Sequence, residues 1–318
     1  MQSASSSLLF QYRDAVRSSL IRLWQLHRRL TRGGVKARLE RLERLAHGGH
    51  ATYVGNNRVL AKTVIADQVL SFLLEADDRL IVPRVITHGD HEPEVTRYLV
   101  STVRRTDHCL DVGANFGYFT CLMAKLAEQG RVIAVEPDPA VYALVRDNIY
   151  INSFQAVAAA LNAAAADGPG RLTLYRRMTR SGNTSIIPIP ADSEWIRSLG
   201  EAPAAPFEVD CLSVDDLLPR FDGRLDVIKI DVEGAEPLVF RGMSETLAAN
   251  PKLKIVMEWS PGQMRDAGFD VGDFLNELDR LGLQAGVINS RGRIERLPRV
   301  EALRDHAYHS GVLLTPRA

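Results

Sequence analysis

Three short stretches of the chain join residue types that do chemistry with spacings that put them at the ends of strands. The first is Asp111-Val112-Gly113-Ala114-Asn115-Phe116-Gly117, where two glycines four residues apart separate an apolar run from a helical pattern. Glycine lets the backbone pass close to a ligand, and the first amides of a helix are unpaired donors. The G-x-x-x-G spacing differs from the G-x-G-x-x-G of dinucleotide sites. Asp111 stands just before the turn, where a carboxylate would repel a pyrophosphate. It suits a ligand with an ammonium and a sulfonium, as in S-adenosylmethionine; the bland alternative is a cap on the turn. In the second stretch, Glu136 closes the next apolar run, about 20 residues beyond the glycines, where a carboxylate accepts both ribose hydroxyls. Pro137-Asp138-Pro139 then makes a stiff turn that aims Glu136 into a cleft rather than leaving it an exposed loop acid.

The third stretch, Lys229-Ile230-Asp231-Val232-Glu233-Gly234-Ala235-Glu236, places three carboxylates beside a lysine directly after an apolar run. Burial and mutual repulsion raise a carboxylate's pKa toward that of a general base. Acids at the start of a helix also simply favour its dipole, and that reading is preferred for Glu236. For Asp231 a functional role is preferred, since a strand-end carboxylate facing a cleft is costly without one.

DVGANFGYFT, then VIAVEPDP followed by LVRDNIYIN, then IKIDVEGAE, together resemble the FkbM family of methyltransferases over roughly Glu92 to Pro261. The resemblance implies S-adenosylmethionine as cofactor and O-methylation of a hydroxyl on a sugar, glycan or polyketide-type small molecule. It makes Asp111, Gly113, Ala114, Asn115, Gly117, Glu136 and Pro137 the cofactor-binding positions, with Asn162 approaching the adenine. Lys229, Asp231 and Glu233 match the second strong motif: Asp231 is the expected base, with Lys229 or Glu233 positioning the acceptor. Gly182-Asn183-Thr184-Ser185 resembles a loop facing the acceptor. His91-Glu92-Pro93 resembles the segment leading into the family's domain, where an aromatic residue is more usual than His91. Residues 1–50 match nothing in the family.

A metal-assisted route is the rival account. Asp231, Glu233 and Asp210 offer hard oxygens for Mg²⁺, but nothing fixes their spacing, and the metal-free route is preferred. His88/His91 and His306/His309 lack the surroundings of a zinc site and are read as surface or hydrogen-bonding histidines.

The elements that must position these residues follow from periodicity. Cys109–Val112, Arg131–Glu136, Ala156–Leu161, Leu225–Ile230, Leu253–Glu258, Ala285–Asn289 and Val312–Thr315 read as strands, with helices over Gly117–Glu128, from Pro139 to Ile151, through Val239, Met243 and Leu247, and over Val271–Leu281. Asp138 and Ser213 read as helix caps, the latter in a capping box with Asp216. This alternation predicts an α/β fold: a doubly wound, mostly parallel seven-stranded sheet of the class I methyltransferase, Rossmann-like type, over residues 95–318. Residues 168–210 interrupt it and are expected to wall the site. Residues 51–94 read as a β-rich lead-in, with strands at Arg58–Val64, Val69–Leu74 and Leu80–Ile86. Residues 1–50 read as a helical extension. Its stretch from Leu8 to Leu30 sets Arg13, Arg17, Arg22, Arg28 and Arg29 opposite an apolar face, and the pattern Val35, Leu39, Leu42, Ala46 follows. The first suits a membrane surface, a partner or the chain's own domain; the second suits a homodimer seam.

Lysine and arginine total 39 and aspartate and glutamate 39, so no basic excess points to a nucleic-acid partner. Three cysteines without a CxxC pair argue against a disulfide framework. With no signal peptide and no run of about 20 apolar residues, a cytoplasmic location is expected. A non-catalytic cofactor-binding scaffold and a nucleic-acid methyltransferase remain the alternatives; the latter lacks an Asn-Pro-Pro-aromatic tetrad after Ile230.

Overall fold

Strand β4 (His108–Val112) runs through the middle of the main sheet and feeds two apolar cores, Cys109 facing one and Leu110 and Val112 the other. On β10 (Val227–Ile230), Val227 shares the core of Cys109, while Ile228 and Ile230 join that of Leu110. Strands buried on both faces are what a doubly wound arrangement requires. The computed structural model describes residues 50–65, 68–176, 182, 184–188 and 205–317. The helix and seam expected between Leu8 and Ala46 lie outside them.

Parallel to β4 and β10 run β5 (Arg131–Val135), β6 (Ala158–Leu161) and β11 (Lys254–Trp259). β14 (His309–Pro316) sits antiparallel between β11 and β12 (Leu283–Ile288). With the strand β13 (Ile294–Arg296) at one edge, the order is β13-β12-β14-β11-β10-β4-β5-β6. The seven expected strands are therefore joined by an eighth, the short edge strand β13, which forms a hairpin with β12. Succession runs outward from β4 to β6 and then crosses back to β10, so the order reverses between β4 and β10. Ligands of such sheets bind outside the strand ends at that reversal. Among the described residues, no helix is long and apolar enough to cross a membrane.

Local chemistry sets the helix boundaries. Asp138 accepts from the backbone N–H groups of Ala140 and Val141 and starts the helix Pro139–Ile151. Ser213 and Asp216 form the capping box of Val214–Leu217. The helix expected through Val239, Met243 and Leu247 is two short ones, Glu236–Arg241 and Ser244–Ala249, although all three side chains reach one core. Gly242 lies at the break, where an added Cβ would stand 2.1 Å from the Ala166 carbonyl oxygen.

The lead-in contains β1 (His50–Gly55), β2 (Arg58–Ile65) and β3 (Gln68–Glu75), an antiparallel sheet in that order. Leu80–Ile86, expected as a strand, is instead the start of the helix Ile81–His88. Its β-branched residues mislead because Ile81, Val82 and Val85 fall on one buried helical face, and Asp78 Oδ1 accepts from the Ile81 N–H at 2.6 Å, supplying a start signal. The lead-in has no core of its own: Phe72 stacks on Tyr118 and meets Phe116 edge-on. Two asparagines fasten it. Asn148 accepts from Leu73 N–H at 2.6 Å and donates to Leu73 O at 3.0 Å, and Asn152 does the same for Ser71 at 2.9 and 2.7 Å. Residues four apart on a helix thus satisfy residues two apart on an edge strand. A third sheet, of β7 (Ala164–Ala165), β8 (Gly170–Arg176) and β9 (Ala205–Leu212), forms the interruption of the main alternation.

Candidate active site

The turn after β4 and the end of β5 meet through Glu136. Its Oε2 accepts from the Asn115 N–H at 2.8 Å and its Oε1 from the Asp138 N–H at 2.9 Å. Burial pushes the carboxyl up to about 8 against the pull of these two amides. The glycines of the turn serve the protein's own packing. Gly113 has φ +76°, and a Cβ there would stand 1.7 Å from the Asp231 carbonyl oxygen. Gly117 has φ +85° and faces Val145 on the helix Pro139–Ile151, where a Cβ would come within 3.2 Å of the side chain. Their first use is to let two strand ends and two helices close together. Asn115 also adopts a positive φ, 51°, as do Glu92 at 43° and Glu233 at 56°. Such conformations in non-glycine residues collect where a site demands them.

Gly113, Ala114, Asn115, Glu136, Pro137, Lys229, Asp231 and Glu233 all line one cavity of about 410 Å³. It lies at the carboxyl ends of β4, β5, β10 and β11, where the strand order reverses. Three expected site residues stand off its wall. Asp111 is wholly buried, with Oδ2 accepting from Thr120 Oγ1 at 2.6 Å. Gly117 lies at the start of its helix. Asn162 donates to the carbonyls of Glu136 and Pro137 at 2.9 and 2.8 Å, holding that turn, while its neighbours Ala163 to Ala165 line the cavity. From the expected acceptor loop, Gly182 and Thr184 reach the cavity and Ser185 bridges to Tyr175; Asn183 lies outside the described residues.

Lys229 is the electrostatic centre of the site. The parallel register sets it beside Asp111, its Nζ lies 2.7 Å from Asp231 Oδ2, and the Phe119 ring centroid is 4.9 Å away. Burial opposes the ammonium charge, but Asp231, Glu92 and Asp111 outweigh it and hold the Lys229 pKa above its ordinary value. Glu92 responds in turn: burial works against its charge, yet Lys229 and His91 bring its pKa down. His91 fills the place expected for an aromatic residue, its ring packed edge-on against Tyr118 at 5.6 Å, and its Nε2 lies 3.2 Å from Glu92 Oε1. Glu236, in the first turn of its helix, is fully buried, with Oε1 accepting from the N–H groups of Val232 and Gly234.

Sequence reasoning missed the far wall. Glu258, Gln263 and Tyr308 line the cavity, with Tyr308 O–H donating to Glu258 at 3.0 Å and Gln263 Nε2 donating to Glu233. Arg84, on the helix mistaken for a strand, also reaches it. Glu258 had a legible signal, since it stands near the end of β11 as Asp231 follows β10. Asp210, offered as a ligand beside Asp231 and Glu233, is on β9, paired with Arg171 and 83% exposed; Glu258 takes its place in the cluster.

The strand order, with β14 antiparallel between β11 and β12, and a cavity at the reversal bounded by an acid-ended β5, define a class I methyltransferase. The profile described as Methyltransferase FkbM domain matches residues 111–285, more than half of the chain, and the chain belongs to that family. Methyltransferase sdnD of Sordaria araneosa is 27% identical over 205 residues, covering 52% of this chain and 79% of sdnD. Hexuronic acid methyltransferase AglP of Haloferax volcanii is 27% identical over 159 residues, covering 49% of this chain and 58% of AglP. An O-methyltransferase from Bacillus cereus, solved in complex with SAH, aligns with a TM-score of 0.40 and 12% identity, over 74% of this chain and 86% of that one.

Proposed function

We propose that the chain transfers the methyl group of S-adenosylmethionine to a hydroxyl oxygen on a sugar, glycan or polyketide-type small molecule. The observation that carries this reading is one cavity lined by Glu136 on one side and by Asp231 with Lys229 on the other. Glu92, Glu136, Asp231, Glu233 and Glu258 line it beside Lys229 and Arg84, a set of carboxyl oxygens able to accept from the ammonium and the ribose hydroxyls. AglP is named as a hexuronic acid methyltransferase, and hexuronic acids carry several hydroxyls. The balanced charge of the chain favours such an acceptor over a nucleic acid.

The cofactor, when bound, supplies an electrophilic methyl carbon on a positively charged sulfur. Glu136 accepts the ribose hydroxyls, and Asn162 holds the turn that presents it. Asp231 accepts the proton of the attacking hydroxyl, which is a poor nucleophile until that proton is taken. Lys229 donates to Asp231 Oδ2 and fixes that oxygen, leaving the other to face the acceptor. Leu172, Leu174 and Ile186 give the cavity an apolar side that limits water.

Calorimetric titration with S-adenosylhomocysteine, with NAD as control and Glu136→Ala as variant, tests the cofactor. A methyl-labelled cofactor offered with sugars, uronic acids and hydroxylated polyketides then tests the acceptor. Binding that weakens in the variant and label recovered as a methyl ether support the reading. Failure of the folded protein to bind, or label found only on nitrogen or carbon, overturns it.

A further inference from the structure

We propose that Asp231, Glu233 and Glu258 bind one hard divalent cation of the Mg²⁺ or Mn²⁺ type on the wall of the cavity. One carboxylate oxygen from each lies within 4.8 Å of the others. Oxygens held by one hard cation at about 2.1–2.5 Å stand at most about 4.2–5 Å apart, so small side-chain rotations close the cluster on an ion.

Acidic clusters are common without ions, and the independent sign here is an orphaned oxygen. Glu258 Oε1 is held by Tyr308, but Oε2 is shut off from solvent and has no hydrogen-bond partner among the described residues. Gln263 Oε1, on the same wall, is a second buried oxygen without a partner, while its Nε2 holds Glu233. Buried oxygens left unpaired are costly unless something occupies them. The Lys229 ammonium does not answer the need, being engaged with Asp231 Oδ2 at 2.7 Å. A dication supplies the missing partner.

The role of this ion rests on the cavity being the site of methyl transfer; its binding does not. A cation there lowers the pKa of a coordinated acceptor hydroxyl. The O–H bond then breaks with its proton passing to Asp231. The oxygen forms its bond to the methyl carbon as the carbon–sulfur bond breaks, leaving that electron pair on sulfur.

The test is titration of the chelator-treated full chain with MnCl₂, followed by the electron paramagnetic resonance signal of free Mn²⁺, with S-adenosylhomocysteine calorimetry on the same samples. Wild type is expected to take up one Mn²⁺, displaced by Mg²⁺. Glu258→Gln and Glu233→Gln, each of which removes a repelling charge and keeps the side chain's size, are expected to weaken uptake at least about tenfold. Asp210→Asn, on the other sheet, leaves it unchanged. No uptake by wild type that still binds S-adenosylhomocysteine overturns the site, as does equal uptake by all four proteins. Mn²⁺ uptake with the expected pattern but no S-adenosylhomocysteine binding upholds the cation site and counts against the cofactor reading.

Discussion

Lys229 Nζ stands 2.7 Å from Asp231 Oδ2, two residues further along the chain, and both side chains face one cavity. Alternate residues of an extended chain share a face, so the pair forms as β10 runs out into the site. Lys229 is also the cation shared by Asp111 and Glu92, which come from β4 and from the segment before the helix Pro93–Thr102. One ammonium therefore ties three separate parts of the chain together electrostatically.

Asp231→Asn is expected to keep S-adenosylhomocysteine affinity and lose about 10²- to 10⁴-fold in kcat, the usual weight of a positioned base. Lys229→Met is expected to act on folding as well, costing about 3 kcal/mol, because it leaves buried carboxylates without their cation. Single-turnover kinetics and urea denaturation separate the two. Unchanged turnover in Asp231→Asn removes that residue from the chemistry.

Glu136 gives a pH signature with two opposite signs. Burial pushes its pKa from 4.5 up to about 8, so between these values the folded chain holds a proton that the unfolded chain has released. Its contribution to stability is full below about pH 4.5 and is lost as pH rises through about 8. Ribose recognition needs the ionised form, so S-adenosylhomocysteine affinity should rise with pH and level off above about 8. Glu136→Gln should flatten both trends relative to wild type, as read by melting and calorimetry from about pH 6 to 9. Glu236, raised to about 7 by burial, remains in both proteins as a common background.

Gly113→Ala is expected to cost about 2–5 kcal/mol, from a strained positive φ and overpacking against the Asp231 carbonyl. Gly168→Ala, where a Cβ would meet nothing within 4 Å, serves as control and should shift stability by under about 0.5 kcal/mol. Equal midpoints for the two variants in urea would refute the close approach of the strand ends.

Asn148→Leu should strip β3 of its partners on the helix Pro139–Ile151, leaving Leu73 N–H, Leu73 O and Phe116 O unpaired. A loss of about 3 kcal/mol is expected, since each buried group left unpaired costs about 1–3 kcal/mol. Hydrogen exchange should show the amide of Leu73 losing protection before those of β4. Retained protection there would mean that apolar packing around Phe72 alone docks the lead-in.

The sheet was legible because its strands are short apolar runs separated by amphipathic helices with clear caps, and Asp138 and Ser213 cap as their types and spacing require. Misreadings arose where local signals conflict. Ile81, Val82 and Val85 have strand-like side chains at helical spacing, and the hydrogen bond that holds the first turn comes from Asp78, outside the run. Val239, Met243 and Leu247 keep helical spacing across a break at Gly242, which packs against the Ala166 carbonyl 76 residues earlier in sequence.

Residue types and spacing by themselves determined the α/β alternation, the family motifs, and the carboxylates at Glu136 and Asp231, because periodicity and strand-end position are local properties. Tertiary structure alone decided that Asp111 lies against Thr120 off the cavity wall and that Asp210 is remote. It also decided that Glu92, Glu258 and Tyr308 converge on the Lys229–Asp231 pair. Those outcomes depend on strand order and register, which bring together side chains up to about 200 residues apart and which no local pattern encodes.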